Sequence, residues 1–142
     1  MIYTPLTKKA MRVAFEAHKN QTDKSDIPYI YHPIHLAEQM KDEITTAVAL
    51  LHDVVEDTCI TFGQLSEMGF SEDVITALRL LTHDKKVPYM DYIKEIKNNP
   101  IARAVKLEDL KHNSDVSRLD VVDEIALERI QKYKQAIELL LS

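Results

Sequence analysis

Four residues with metal-binding or acid–base side chains stand close together after an apolar stretch of the sequence. His52, Asp53, Glu56 and Asp57 directly follow the apolar residues 47–51. On a continuous helix His52 lies above Glu56 and Asp53 above Asp57, because residues four apart share a face. Imidazole nitrogen and carboxylate oxygen together bind divalent cations such as Mn²⁺. The pattern therefore predicts a metal or acid–base site near the end of a helix.

Two further residues are candidate ligands for the same cation. His32 directly precedes Pro33, which suits the first turn of a helix because its missing N–H costs nothing there. Asp109 lies among apolar residues that predict a partly buried position, where a carboxylate needs compensation. We predict that both side chains join His52 and Asp53 around one ion.

Each of these residues also has a simpler interpretation. A His-Asp dipeptide is common by chance, and His52 alone could be a helix-end histidine favoured by the helix dipole. Glu56 and Asp57 could be surface charges, although acids near the carboxyl end of a helix oppose the dipole. Asp109 could form an internal salt bridge with Lys106. The residues by themselves leave these alternatives open.

Helices are the elements that must position these residues. Apolar side chains recur near a 3.6-residue period along most of the chain, and no alternating strand pattern exceeds a few residues. A polar loop, residues 20–31, is expected to deliver His32 to a helix start. We predict a single all-α domain over residues 1–142 with about seven or eight helices. They include one over residues 43–58, one opened by a Thr61–Gln64 capping box and ended near Gly69, one over residues 101–116, and a closing helix over residues 121–141 with Asp120 as its cap.

Composition argues against several classes of function. The chain has 18 Lys and Arg against 23 Asp and Glu and no long basic run, which disfavours binding to DNA, RNA or acidic membranes. Its longest apolar stretch, residues 47–51, is far shorter than the roughly 20 residues that span a bilayer. No signal-peptide pattern is visible at the amino terminus, so we expect a cytoplasmic protein. A local pocket can still bind a single nucleotide.

Three segments of the chain resemble, in the same order, motifs of a known hydrolase family. They are residues 28–33 (Pro-Tyr-Ile-Tyr-His-Pro), 50–58 (Leu-Leu-His-Asp-Val-Val-Glu-Asp-Thr) and 106–113 (Lys-Leu-Glu-Asp-Leu-Lys-His-Asn). They resemble the hydrolase domain of RelA/SpoT proteins and the small alarmone hydrolases, which belong to the HD-domain superfamily. The resemblance covers about residues 10–113.

The resemblance implies an all-α HD fold and a set of site residues. One Mn²⁺ would be held by His32, His52, Asp53 and Asp109. Glu56 and Asp57 would act on the attacking water, without a choice between them, and Asn113 would face the nucleotide. In the family, the reaction removes pyrophosphate from the 3′ position of guanosine tetraphosphate (ppGpp) or pentaphosphate, and small members also dephosphorylate NADPH.

Two segments depart from the family pattern. Asp23 stands where an Arg is often found, next to Lys24, which keeps one substrate-binding cation. After Asn113, Ser114 and Asp115 replace a hydrophobic residue and an Arg. Each acid adds a repulsion toward a polyanion. Either the substrate carries fewer phosphates than ppGpp, or other cations compensate, for which the candidates are Lys24, Lys19, Arg103 and Lys106.

The sequence therefore predicts a metal-dependent phosphohydrolase that acts on a small nucleotide, with ppGpp as the leading substrate. Phosphate-ester hydrolysis needs a nucleophile at neutral pH and neutralisation of charge on phosphorus, and a bound cation supplies both. Three alternatives are another nucleotide or phosphomonoester such as the 2′-phosphate of NADPH, a non-catalytic nucleotide-binding module, and a helical scaffold without metal.

Overall fold

The protein, described here by a computed structural model, is all helical over residues 1–142, as the sequence predicts. No strand is present apart from one isolated bridge between Thr22 and Pro28. None of the helices combines the length and the hydropathy needed to cross a bilayer. The helices are α1 (Pro5–His18), α2 (Tyr31–Glu38), α3 (Glu43–Leu51), α4 (Val54–Asp57), α5 (Phe62–Glu67), α6 (Glu72–Leu81), α7 (Tyr89–Lys97), α8 (Pro100–Asn113) and α9 (Glu124–Leu141), with a 3₁₀ turn at Val116–Arg118.

Helix boundaries follow side-chain caps that the sequence supplies. As predicted, the Thr61–Gln64 capping box opens α5 and the helix ends near Gly69, which has a positive φ of 93°. The closing helix begins later than predicted. Asp120 is not its cap, because the Asp123 side chain accepts the Ala126 amide (2.8 Å) and so starts α9 at Glu124. The helix predicted over residues 101–116 ends at Asn113.

Helix α3 is the centre of the fold. Every residue from Thr45 to Leu51 is buried, because α1, α2, α6 and α8 all pack against it. This explains why its sequence is apolar on all faces rather than along one stripe. Since α2 and α8 both contact α3, the elements that carry His32 and Asp109 lie beside the carboxyl end of α3, where His52 follows.

The helix predicted over residues 43–58 is broken, and this part of the prediction was wrong. Helix α3 ends at Leu51, and Asp53 adopts φ −107° and ψ 3°, the bridge region of backbone space, before α4 begins at Val54. In a continuous helix, neighbouring side chains diverge by about 100° around the axis. The break removes this constraint, so the adjacent side chains of His52 and Asp53 can approach the same point.

Candidate metal centre and active site

Four side chains from three parts of the chain converge at the carboxyl end of α3. Nε2 of His32 lies 2.9 Å from Oδ1 of Asp109, and Nε2 of His52 lies 3.0 Å from Oδ2 of Asp53 and 3.6 Å from Oδ1 of Asp109. His32, His52 and Asp109 are buried, with exposed fractions of 4%, 3% and 6%. The structure thus brings together all four side chains that the sequence nominated as ligands.

The donor atoms fit a divalent cation. Nδ1 of His52 lies 2.7 Å from the Ala49 carbonyl oxygen, so this nitrogen donates to the backbone and Nε2 is directed toward the carboxylates. That Nε2 is buried and makes no well-directed hydrogen bond. His32, His52 and Asp109 could hold a metal ion, since one ligand atom from each lies within 4.8 Å of the others. Two imidazoles and two carboxylates suit a first-row divalent cation.

Electrostatics keep both carboxylates ionised. Burial by itself would raise the pKa of each, but the adjacent His52 lowers the pKa of Asp53 to about 2. Burial would likewise raise the pKa of Asp109, but the charge of Lys106 and the hydrogen bond from His32 hold this pKa well below its ordinary value. Burial also opposes the charged form of His52, yet Asp53 and Asp109 raise the pKa of His52 well above its ordinary value. The site therefore favours positive charge between the two carboxylates.

Three neighbours fix the orientation of these carboxylates. Nζ of Lys106 lies 2.9 Å from Oδ2 of Asp109, so the salt bridge considered from the sequence is present and leaves Oδ1 facing the histidines. Nδ2 of Asn113 donates to that Oδ1 (2.9 Å). The hydroxyl of Tyr29 donates to Oδ2 of Asp53. Burial and the Asp53 charge raise the pKa of Tyr29, so its hydroxyl stays a donor.

Glu56 and Asp57 form a second acidic group with Asp53, with one carboxylate oxygen of each within 4.8 Å of the others. Oε1 of Glu56 accepts the backbone amide of His83 at 2.9 Å. Burial, followed by the charges of Asp53 and Glu56, raises the pKa of Asp57 to about 6. The Asp57 carboxyl is therefore mostly ionised at pH 7 but close to its titration range.

We expect Asp57→Asn to stabilise the metal-free protein at pH 7. The pKa of Asp57 rises from 3.8 to about 6 on folding, so the folded state binds its proton more tightly and stability falls as pH rises through this window. The gain in unfolding free energy should be about 1 kcal/mol, a figure reduced because the group is partly exposed. Urea unfolding in a chelator at pH 7 and pH 4 measures it.

At pH 4 the Asp57 carboxyl is largely protonated in the folded protein, so the gain should be much smaller. Asp91→Asn on the exposed surface of α7 is the matched control and should change little at either pH. A gain at pH 4 equal to that at pH 7 would show that charge repulsion is not its cause.

Two cavities lie beside the four converging side chains. The larger, about 430 Å³, is lined by His32, and the smaller, about 220 Å³, by His52, Asp53 and Asp109. Asn113 and Tyr133 line both cavities. Asn113 thus lies beside both openings, and its amide oxygen also accepts from Arg118 (3.3 Å). A ligand bound across the centre would extend into both cavities.

The cations around these cavities differ partly from those that the sequence suggested. Lys24 lines the larger cavity and Lys106 the smaller one. Lys19 instead pairs with Glu16, and Nε of Arg103 donates to the Leu140 carbonyl, so neither of them lines these cavities. The prediction missed three cations, which are Arg118 and Arg129 in the larger cavity and Lys132 in the smaller one.

The sequence contains only a weak signal for two of the missed cations, Arg129 and Lys132. Arg129, Lys132 and Tyr133 share one face of α9 through their spacing of three and four residues. An exposed helix surface has the same pattern, and only the packing of α9 on α7 and α8 directs this face to the cavities.

The two acids that depart from the family pattern have structural roles. Oδ1 of Asp23 accepts the backbone amides of Ser25 (2.8 Å) and Ile27 (3.1 Å), which shapes the loop before α2. Oδ1 of Asp115 accepts the amide of Ser117 (3.0 Å) and caps the 3₁₀ turn. Both acids line the larger cavity, where Oδ2 of Asp23 also lies 3.8 Å from Arg118.

Sequence comparisons identify relatives along nearly the whole chain. A guanosine-3′,5′-bis(diphosphate) 3′-pyrophosphohydrolase MESH1 from Xenopus tropicalis is 36% identical over 143 residues, covering 92% of this chain and 79% of that protein. The MESH1 of Danio rerio is 33% identical with the same coverage. The bifunctional (p)ppGpp synthase/hydrolase SpoT of Escherichia coli K12 is 36% identical over 88 residues, 59% of this chain and 12% of SpoT.

The fold also matches a solved structure. A metazoan ortholog of SpoT that hydrolyses ppGpp superposes with a TM-score of 0.76 at 23% identity, covering 99% of this chain and 88% of that chain. No model of a known protein family matches the sequence. Because the MESH1 relatives exceed 30% identity over most of both chains, this chain belongs to the RelA/SpoT-type HD-domain hydrolases of the MESH1 kind.

Proposed function

We propose that this protein is a metal-dependent phosphohydrolase that removes pyrophosphate from the 3′ position of ppGpp. The observation that carries the proposal is the convergence of His32, His52, Asp53 and Asp109 beside two cation-lined cavities. The choice of ppGpp as substrate follows from the MESH1 relatives, which are named as pyrophosphohydrolases of this nucleotide.

The four converging side chains would hold one divalent cation, and we propose Mn²⁺ because it accepts imidazole and carboxylate ligands together. When bound, such a cation lowers the pKa of water and offsets negative charge on phosphorus. Lys106 and Asn113 hold the Asp109 carboxylate in place, and Tyr29 holds that of Asp53. The ligands are therefore positioned by the protein itself.

Asp57 is our choice for the group that removes a proton from the attacking water. Its pKa of about 6 leaves it ionised at pH 7 yet close enough to neutrality to be an effective base. Glu56 shares the acidic group, but its Oε1 is engaged by the His83 amide, which suits it to orient the water. As the water oxygen bonds to phosphorus, the bond from phosphorus to the 3′ oxygen breaks, and that oxygen takes up a proton.

The two cavities suit the two ends of this substrate. The larger one, with Lys24, Arg118 and Arg129, has the volume and cations for a nucleoside 5′-diphosphate. The smaller one, with Lys106 and Lys132, suits the pyrophosphoryl group that leaves as product. Charged hydrogen bonds from such side chains are the usual means of binding phosphate.

A second candidate reaction is removal of a single phosphate, such as the 2′-phosphate of NADPH. The observation that favours it is the presence of Asp23 and Asp115 in the larger cavity, because each repels additional phosphate groups. The two reactions release different products, and this difference allows a direct test.

We expect the purified Mn²⁺ form to release pyrophosphate and GDP from ppGpp faster than it releases orthophosphate from NADPH. A panel of ppGpp, NADPH and GTP, with products resolved by anion-exchange chromatography, measures the order of rates. The metal-free protein in a chelator is the control and should be inactive. Faster release of orthophosphate from NADPH would favour the second reaction. Bound metal without hydrolysis of any of the three would contradict the proposal of a hydrolase.

A further inference from the structure

A third histidine contacts the metal centre without facing it. His112 precedes Asn113 at the end of α8, and its Nδ1 lies 2.7 Å from Nδ1 of His32. The two rings are nearly parallel, with centroids 5.0 Å apart, and the His112 ring also stacks on the ring of His35, with centroids 4.0 Å apart. The backbone of His112 is also fixed, because its carbonyl accepts Nη1 of Arg118 at 2.9 Å. His112 is thus held in one orientation against His32.

The Nδ1 contact restricts where the proton of His32 resides. Two ring nitrogens at hydrogen-bond distance share one proton, so one of them donates and the other accepts. A neutral imidazole that offers Nε2 to a cation carries its single proton on Nδ1. If His32 binds metal through the Nε2 that faces Asp109 and His52, its Nδ1–H must donate, and Nδ1 of His112 must accept.

We propose that His112 is a positioning residue of the metal centre, because its Nδ1 accepts the Nδ1–H of His32 and so fixes the tautomer and ring orientation of that ligand. The inference rests on the metal centre of the proposed function. The Ala49 carbonyl oxygen accepts the Nδ1–H of His52 in the same way, so each of the two histidine ligands would have its own hydrogen-bond acceptor. Such outer partners typically change metal affinity by about 10- to 100-fold when removed.

A competing arrangement uses the same atoms with the opposite proton direction. His112 would donate to Nδ1 of His32, and Nε2–H of His32 would donate to Oδ1 of Asp109 at 2.9 Å. That chain of hydrogen bonds leaves His32 without a lone pair for a metal ion. The two arrangements therefore predict different effects of removing the acceptor at His112.

Mn²⁺ affinity of three variants separates these arrangements. His112→Phe keeps a ring but removes the acceptor, His112→Asn offers an amide oxygen near the position of Nδ1, and His35→Phe is the matched control on the stacked ring that contacts no ligand. Electron paramagnetic resonance of free Mn²⁺ gives the dissociation constants, and thermal melts of the metal-free variants report folding. We expect His112→Phe to weaken binding by about 10- to 100-fold, His112→Asn to recover most of it, and His35→Phe to remain close to wild type.

Each other outcome has a definite meaning. If folded His112→Phe binds Mn²⁺ as tightly as the wild type, or if His112→Phe and His112→Asn lose equal affinity, His112 does not act as an acceptor and the inference is wrong. If the wild type itself binds no Mn²⁺, the metal centre of the proposed function fails instead.

A measurement on the unmodified protein provides an independent test. Long-range ¹H–¹⁵N correlation spectra of the histidine rings, recorded with the diamagnetic ion Zn²⁺ bound, report which ring nitrogen carries the proton. We expect His32 to be protonated at Nδ1 and His112 to be unprotonated at Nδ1. A proton on Nδ1 of His112 in the Zn²⁺ form would overturn the inference without any variant.

Discussion

Asp53→Ala is expected to abolish Mn²⁺ binding and, with it, pyrophosphate release from ppGpp. The substitution removes the carboxylate oxygen that lies 3.0 Å from Nε2 of His52 and accepts the Tyr29 hydroxyl. With a pKa of about 2, Asp53 is ionised at neutral pH and supplies a full negative charge to the site. Its loss leaves Asp109 as the only carboxylate among the proposed ligands. Equilibrium dialysis with elemental analysis and a pyrophosphate assay measure the two effects.

Two controls distinguish a ligand from a neighbouring acid. Glu56→Gln and Asp57→Asn should both keep the metal. Turnover should fall by about 10²- to 10⁴-fold in Asp57→Asn, because this variant removes the proposed proton acceptor. Asp91→Ala, an exposed acid on α7, should change neither quantity. If Asp53→Ala and Glu56→Gln lost metal to the same extent, the division between ligands and catalytic acids would be wrong.

Lys106→Met is expected to cause a large loss of stability in the metal-free protein, larger than that of any other variant proposed above. Nζ of Lys106 lies 2.9 Å from Oδ2 of Asp109, and the two side chains are only 13% and 8% exposed. Methionine would leave that oxygen buried without its cationic partner. Breaking one side of a buried ion pair typically costs about 3–5 kcal/mol in the free energy of unfolding. Urea unfolding in a chelator measures the loss.

Lys111→Met is the matched control on the same helix. Lys111 is exposed, and its Nζ lies 3.4 Å from Glu108, so the same substitution there should cost less than about 1 kcal/mol. Equal losses in the two variants would mean that the buried pair at Asp109 contributes no special stabilisation.

The sequence predicts the helical class, and it also predicts that the side chains of His32, His52, Asp53 and Asp109 lie close together. The apolar period identifies the closing helix α9, and Pro33 marks the first turn of α2, which holds His32. Asp109 is a candidate because its apolar neighbours predict a partly buried carboxylate, and the motif resemblance adds weight to it. These features are local to a helix or to a short motif, and this is why sequence reasoning finds them.

What the sequence does not predict depends on contacts between distant segments. Val54 and Val55 continue the apolar pattern beyond Leu51, so the period shows no break where the structure has one. The acceptor role that we propose for His112 depends on His32, 80 positions earlier. Arg129 lines the larger cavity only because α9 packs on α7 and α8. Each of these requires the tertiary structure.

The most direct test of the metal centre measures bound Mn²⁺ and the rate of pyrophosphate release from ppGpp on the same samples as metal is added to the metal-free protein. We predict that the rate rises in proportion to bound Mn²⁺, that both level off at one ion per chain, and that Asp53→Ala shows neither. Full activity in the metal-free protein, or undiminished Mn²⁺ binding by Asp53→Ala, would contradict a catalytic metal centre at these four residues.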